Sequence, residues 1–155
     1  MTFKTVGLIL CAAGIAAGGW YIGERIRRSQ KDLSFLLRLT EHVYTEVRYA
    51  HTELPQCFLS FGEPDERRNV EKMARGEYRE ALQALSLPKE TRIKLCTDYE
   101  LLGSGTLDEE LLKIERIRDY LRKENDKAAK KTGGSVRSAR VLGICIAAAL
   151  LLLFL

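Results

Sequence analysis

The apolar positions of this chain fall into two unbroken blocks near its ends and a periodic pattern between them. No side chain from Thr5 to Gly23 is charged, and none from Val141 to Leu155. At about 1.5 Å per residue, the first block, about 19 residues long, is sufficient to cross a hydrocarbon core of about 30 Å. The second, about 15 residues, reaches only about 22 Å. A span there is expected to start upstream, with Arg137 and Arg140 snorkelling, or to thin the bilayer locally.

Between the blocks, apolar residues recur at three- and four-residue spacing, and no strand alternation competes with them. The first long helix leaves the apolar block and places Leu33, Leu36, Leu37, Thr40, Val43, Tyr44, Val47, Ala50 and Leu54 on one face, with Pro55 ending or kinking it. A short apolar piece, Cys57 to Phe61, precedes a break at Gly62 and Pro64. Val70, Met73, Ala74, Tyr78, Ala81, Leu82 and Leu85 form the next stripe, which Gly76 weakens and can split. Ser86 as cap and Pro88 near the first turn predict a helix whose inner stripe is Ile93, Cys96, Tyr99 and Leu102, stopping at Gly103. Thr106 and Glu109 have the spacing of a capping box. They open a long helix with Leu111, Ile114, Ile117, Leu121 and Ala128 inward, and Gly133 and Gly134 read as a hinge before the second span.

The expected fold is therefore all-α: a membrane-tethered antiparallel helical bundle over residues 29–132, with one transmembrane helix at each terminus, 5–23 and 138–155. If both ends lie in one membrane, the first and last long helices run antiparallel and pair their stripes.

Charge refines this picture. The formal net charge is +4, yet residues 32–126 carry 15 Lys or Arg against 20 Asp or Glu. The positive excess sits beside the apolar blocks: Arg25, Arg27, Arg28 and Lys31 after the first, then Lys127, Lys130, Lys131, Arg137 and Arg140 before the second. Basic flanks stay cytoplasmic, which places the middle of the chain in the cytoplasm and both termini outside. Such a basic collar favours anionic headgroups and accounts for the charge without nucleic acid. A cleavable signal peptide is the alternative for the first block, since Lys4 precedes it and Ala16 and Ala17 lie near its end. The heavier charge after the block suits a retained anchor instead.

Chemistry-bearing patterns are weak. Cys11, Cys57, Cys96 and Cys145 are too scattered to predict a disulfide or a metal site. His42 and His51 stand nine residues apart, on skewed helix faces, so no zinc site follows from them. The run Gly103, Ser104, Gly105, Thr106 lacks the lysine of a phosphate loop and joins two predicted helices, so it reads as a turn. Acidic residues are spread along solvated faces, with no nucleophile and matching base. No catalytic residue, metal, cofactor or small-molecule substrate is expected. In the first apolar block Gly7, Cys11, Gly14 and Gly18 share a face, a groove that admits another helix; Gly143 and Ala147 are the counterpart in the second block, and a helix of another subunit is the other candidate partner.

Three stretches resemble the stage III sporulation protein AB family of endospore-forming bacteria: GERIRRSQKDLSFLLRLTEHVYTEVRYAHTELPQCF at 23–58, LLGSGTLDEELLKIERI at 101–117 and SARVLGICIAAALLLLFL at 138–155. Glu46, Arg48, Tyr49, Thr52 and Leu54 follow the family's style. The resemblance implies a subunit of the channel complex built between mother cell and forespore during engulfment, residing in the mother-cell membrane. Its cytoplasmic domain would be similar to the helical domain of inner-membrane platform proteins of type II secretion and type IV pilus systems. It would dock a cytoplasmic ATPase and other channel membrane subunits, with Glu46, Arg48 and Tyr49 facing a partner. Two further readings stay open at this point: a membrane-tethered sensor or regulator whose acidic bundle binds a soluble signalling protein, and an enzyme acting at the lipid surface.

Overall fold

The computed structural model describes the backbone of residues 2–62 and 64–154, and the side chains of residues 14, 17–62, 64–131, 141 and 145. Among the described residues the chain is all-α, with no strand. Helix α1 runs Thr2–Thr45 and passes into a π-helical turn, Glu46–Ala50. Then come α2 (Leu54–Leu59), a 3₁₀ turn (Pro64–Glu66), α3 (Arg67–Ala74), α4 (Tyr78–Gln83), α5 (Lys89–Glu100) and α6 (Leu107–Phe154). The chain divides into two compact units, one of Met1–Gln30 with Lys127–Leu155 and one of Lys31–Asp126.

The unit Lys31–Asp126 is a helical bundle. The α1 and α6 segments within it lie side by side and antiparallel, since Ser34 Oγ donates to Asn125 Oδ1 at 2.9 Å, Arg122 pairs with Glu41 at 3.3 Å, and the Arg118 guanidinium sits 4.6 Å from the Tyr44 ring centre. The partner of an α1 residue moves back along α6 as one moves forward along α1. Leu33, Leu36 and Val43 of α1 and Val47 of the π turn are buried, as the stripe predicts, and so are Ile114, Ile117 and Leu121 of α6. Phe35 and Leu39 are also buried, so the inward face of α1 is wider than a single stripe. Each such side chain contributes roughly 1.5–3 kcal/mol through burial. The solvent-exposed ion pairs contribute only about 0–1 kcal/mol each, so burial holds the bundle together.

Between α1 and α6 the chain is folded into short helices. Gly76, at φ +79°, separates α3 from α4, a left-handed conformation that glycine adopts without the Cβ penalty. That split agrees with the sequence. Pro55 behaves differently from expectation: α1 and its π turn stop at His51, which takes φ 51°, and Pro55 sits in the first turn of α2, where its missing N–H is no loss. Ala50 is accordingly exposed.

Helix α5 departs most from the pattern. Its buried residues are Thr91, Leu95 and Tyr99, continuing Leu87 at four-residue spacing, whereas Ile93 is 58% exposed and Cys96 and Leu102 are half-buried. Of the expected stripe only Tyr99 is buried, and the inward face is rotated to Thr91 and Leu95. Ser86 does not cap α5, since Pro88 occupies the cap position and the Ser86 N–H donates to Asp32 Oδ2 at 2.7 Å, tying the α4–α5 loop to α1. The expected hinge at Gly133 and Gly134 is also corrected: α6 continues through both. Glycine weakens a helix by about 1 kcal/mol but does not end one that its neighbours sustain.

Among the described residues no helix is long and apolar enough to cross a membrane. The backbone of the expected spans at 5–23 and 138–155 is helical up to Phe154, and their side chains fall for the most part outside those described, as do the side chains of Arg137 and Arg140 and the surroundings of Gly7 and Gly143. Gly14 and Gly18 are described and exposed, and a Cβ at either would meet nothing within 4 Å.

Candidate interaction surface

The exposed end of α1 gathers aromatic and guanidinium groups. A π turn carries one residue more per turn than an α turn, so Glu46–Ala50 resets the faces that follow it. Arg48 and Tyr49 emerge on the outside, Tyr49 with 73% of its surface exposed. Arg48 Nη1 donates to the Tyr44 hydroxyl at 2.7 Å, and its guanidinium lies 5.7 Å from the Tyr44 ring centre and 5.5 Å from that of Tyr49. Arg118 of α6 covers the Tyr44 ring at 4.6 Å and donates to Glu115 Oε1 at 3.0 Å. Tyr44 thus has a guanidinium against its ring from each of two helices, which fixes a surface that long side chains would otherwise leave loose. The hydrogen bond to Tyr44 holds the Arg48 guanidinium above its ordinary value, and the group is charged at physiological pH as arginine always is.

Glu46 has a different position from its two neighbours. It is half-buried, its backbone carbonyl accepts the N–H groups of His51 and Thr52, and its carboxylate accepts the Thr52 hydroxyl at 3.3 Å. These contacts close the turn. Cys57 lies beneath, its thiol pointing at the Thr52 carbonyl and pushed above its ordinary value by burial, with the nearby Glu46 charge adding to the effect. The structure therefore brings Arg48 and Tyr49 together with Tyr44 and Arg118, and sets Glu46 to holding the segment that presents them. Sequence reasoning placed Tyr44 on the inward stripe and did not single out Arg118, because their pairing joins positions far apart in the chain.

A second polar cluster lies at the α5–α6 turn. Glu110 is 93% buried as judged by its 7% exposure, a rare place for a carboxylate. Its Oε2 accepts the Gly103 N–H at 2.8 Å, its Oε1 accepts the Gly105 N–H at 3.0 Å, and Lys113 Nζ stands 2.8 Å from Oε1. Lys113 also donates to the Leu101 carbonyl at 2.8 Å. Burial alone would push this carboxyl up, but the Lys113 hydrogen bond and the two backbone N–H groups outweigh it and hold it below its ordinary value. The glycine-rich run is thus an interhelical turn whose N–H groups bind the chain's own carboxylate. Gly103 takes φ +85°, and a Cβ on Gly105 would come within 2.6 Å of Glu109 Oε2. The Glu109 carboxylate accepts the Thr106 N–H at 3.0 Å, the acidic half of the expected capping box. The signal for Glu110 is a glutamate in the first turn of a helix behind a Gly-x-Gly turn, a position where its charge also meets the positive end of the helix dipole.

Among the described residues no group of His, Cys, Asp or Glu is placed to hold a metal ion. His42 instead shares a 2.8 Å hydrogen bond with Ser60 and packs on the Phe61 ring at 5.5 Å.

Residues 4–67 match the family model described as stage III sporulation protein AB. Over this segment the chain is similar to that family. Comparison with curated proteins and with solved structures gave no match. The matched segment contains α1 from residue 4 onward, the π turn and α2, and with them Tyr44, Arg48 and Tyr49. Of the three stretches that carry the sequence resemblance, the one at 23–58 lies within the match, and those at 101–117 and 138–155 lie beyond it.

Proposed function

We propose that this chain is a non-catalytic membrane platform subunit of the sporulation channel between mother cell and forespore. Its helical bundle docks a cytoplasmic ATPase, and its apolar ends pack with other membrane subunits of the channel. The observation that carries this reading is the coincidence of the family match with an exposed Arg–Tyr cluster: the matched segment supplies Tyr44, Arg48 and Tyr49. Tyr and Arg are over-represented among residues that dominate binding energy: Tyr buries a large area with only two rotors to freeze, and Arg offers a planar fork of donors. Tyr44, itself covered by Arg118, already holds Arg48 in place, so a partner meets a pre-organised surface and loses less in ordering it.

The test is co-purification of the ATPase subunit with the full-length chain from sporulating cells, in wild type and in an Arg48→Ala, Tyr49→Ala double variant. Both side chains are exposed, so stability is expected to change by no more than about 0.5 kcal/mol. Binding is expected to weaken by roughly 30-fold, the value of one dominant interface residue at about 2 kcal/mol. Undiminished binding by the double variant removes the surface from the proposal. Absence of the ATPase from the wild-type preparation removes the platform role itself.

A further inference from the structure

We propose that the unit Met1–Gln30 with Lys127–Leu155 carries a collar that binds anionic phospholipid headgroups through Arg25 and Arg27 of α1 and Lys130 and Lys131 of α6. The inference rests on the membrane reading above and names the lipid class that the tethers select. Trp20, Tyr21 and Ile22 are 62%, 71% and 54% exposed. Three successive helical residues point about 100° apart. Their exposure therefore covers an arc of about 200°, wider than a single stripe, while Gly23 on the remaining side is buried. An aromatic pair with apolar rings and polar tips suits the boundary between hydrocarbon and water.

Arg25 and Arg27 follow and are exposed, as are Lys130 and Lys131. Arg25 lies about 7 Å beyond Trp20 along the helix at about 1.5 Å per residue. The headgroup layer on each side of the hydrocarbon core is about 5–7 Å thick. The order along α1 is apolar, aromatic, cationic, and it matches hydrocarbon, interface and phosphate in sequence and in scale.

Charge within the unit selects the headgroup. Glu24 is its one acidic residue, and it pairs with Arg28 at 3.5 Å. Arg25, Arg27, Lys130 and Lys131 thus share a unit whose lone carboxylate is already engaged. A cluster of one sign repels itself unless an opposite charge screens it, and phosphodiester groups without a compensating amine provide that charge.

Trp20 is the chain's one tryptophan, so its fluorescence reports this site alone. The full-length protein is reconstituted in phosphatidylcholine vesicles containing equal mole fractions of either brominated phosphatidylcholine or brominated phosphatidylglycerol. Brominated phosphatidylglycerol is expected to associate with the Trp20 region at least about fivefold more strongly, the value of one lysine or arginine near an anionic surface. The preference is expected to shrink with added salt. In an Arg25→Gln, Arg27→Gln, Lys130→Gln, Lys131→Gln variant with unchanged helical circular dichroism, the ratio is expected to fall close to one. Equal quenching by both lipids in wild type, or an unaltered ratio in the variant, overturns the collar and leaves the membrane tether standing. No quenching by either lipid removes both.

Discussion

The carboxylate of Glu110 accepts the backbone N–H of Gly103 at 2.8 Å, so the first turn of α6 reaches back to hold the end of the α5 segment. A buried anion is stable there because Gly105 and Lys113 complete its shell. Removing the charge weakens the acceptor that these three donors share.

Glu110→Gln is therefore expected to lower unfolding free energy by about 1.5–3 kcal/mol, measured by denaturant titration of the full-length chain in detergent at pH 7. The pH dependence has a definite sign. Because the folded carboxyl titrates below its ordinary value, its contribution is present above the ordinary glutamate range near pH 4 and is lost as pH falls through and below it. The gap between wild type and variant should narrow from pH 7 to pH 3. A gap that stays constant would show that the charge is not what the turn uses.

Thr40 and Tyr99 form a second buried link, 2.8 Å between their hydroxyl oxygens. Thr40 donates its proton to the Leu36 carbonyl at 2.7 Å, so Tyr99 is the donor in the pair. Tyr99→Phe removes that donor and leaves Thr40 still bonded, an expected loss of about 1 kcal/mol. Thr40→Val keeps the shape but strands the Tyr99 hydroxyl in the core, an expected loss of about 1–3 kcal/mol. Equal or reversed losses would contradict this donor assignment. Burial also pushes the Tyr99 phenol well up, so stability is full below ordinary tyrosine ionisation near pH 10 and declines above it, a decline that Tyr99→Phe should lessen.

The face of α5 can be checked by a pair of truncations. Leu95 is fully buried and Ile93 is 58% exposed. Leu95→Ala is expected to cost about 2–5 kcal/mol, and Ile93→Ala no more than about 0.5 kcal/mol, in the same unfolding measurement. Comparable losses would return the helix to the orientation that its apolar residues suggest.

The helical class, the order of the helices, the split at Gly76 and the charge gradient toward the ends were legible in the chain, because each follows from the nature of residues close together in sequence. Periodicity needs only a few turns of helix, and the left-handed conformation at Gly76 needs only one residue. The family segment was legible for the same reason, since the resemblance at 23–58 rests on contiguous side chains and falls inside the matched residues 4–67. Tertiary structure decided the rest. Whether Ile93 or Leu95 turns inward depends on where the neighbouring helices lie, since either faces a helix surface that local propensity allows. The contact of Arg118 with the Tyr44 ring joins α6 to α1 and exists only once the helices have packed, and the burial of Glu110 likewise depends on the neighbours that cover it. Local sequence sets which elements form, and the free energy of burying them against one another sets which side chains meet.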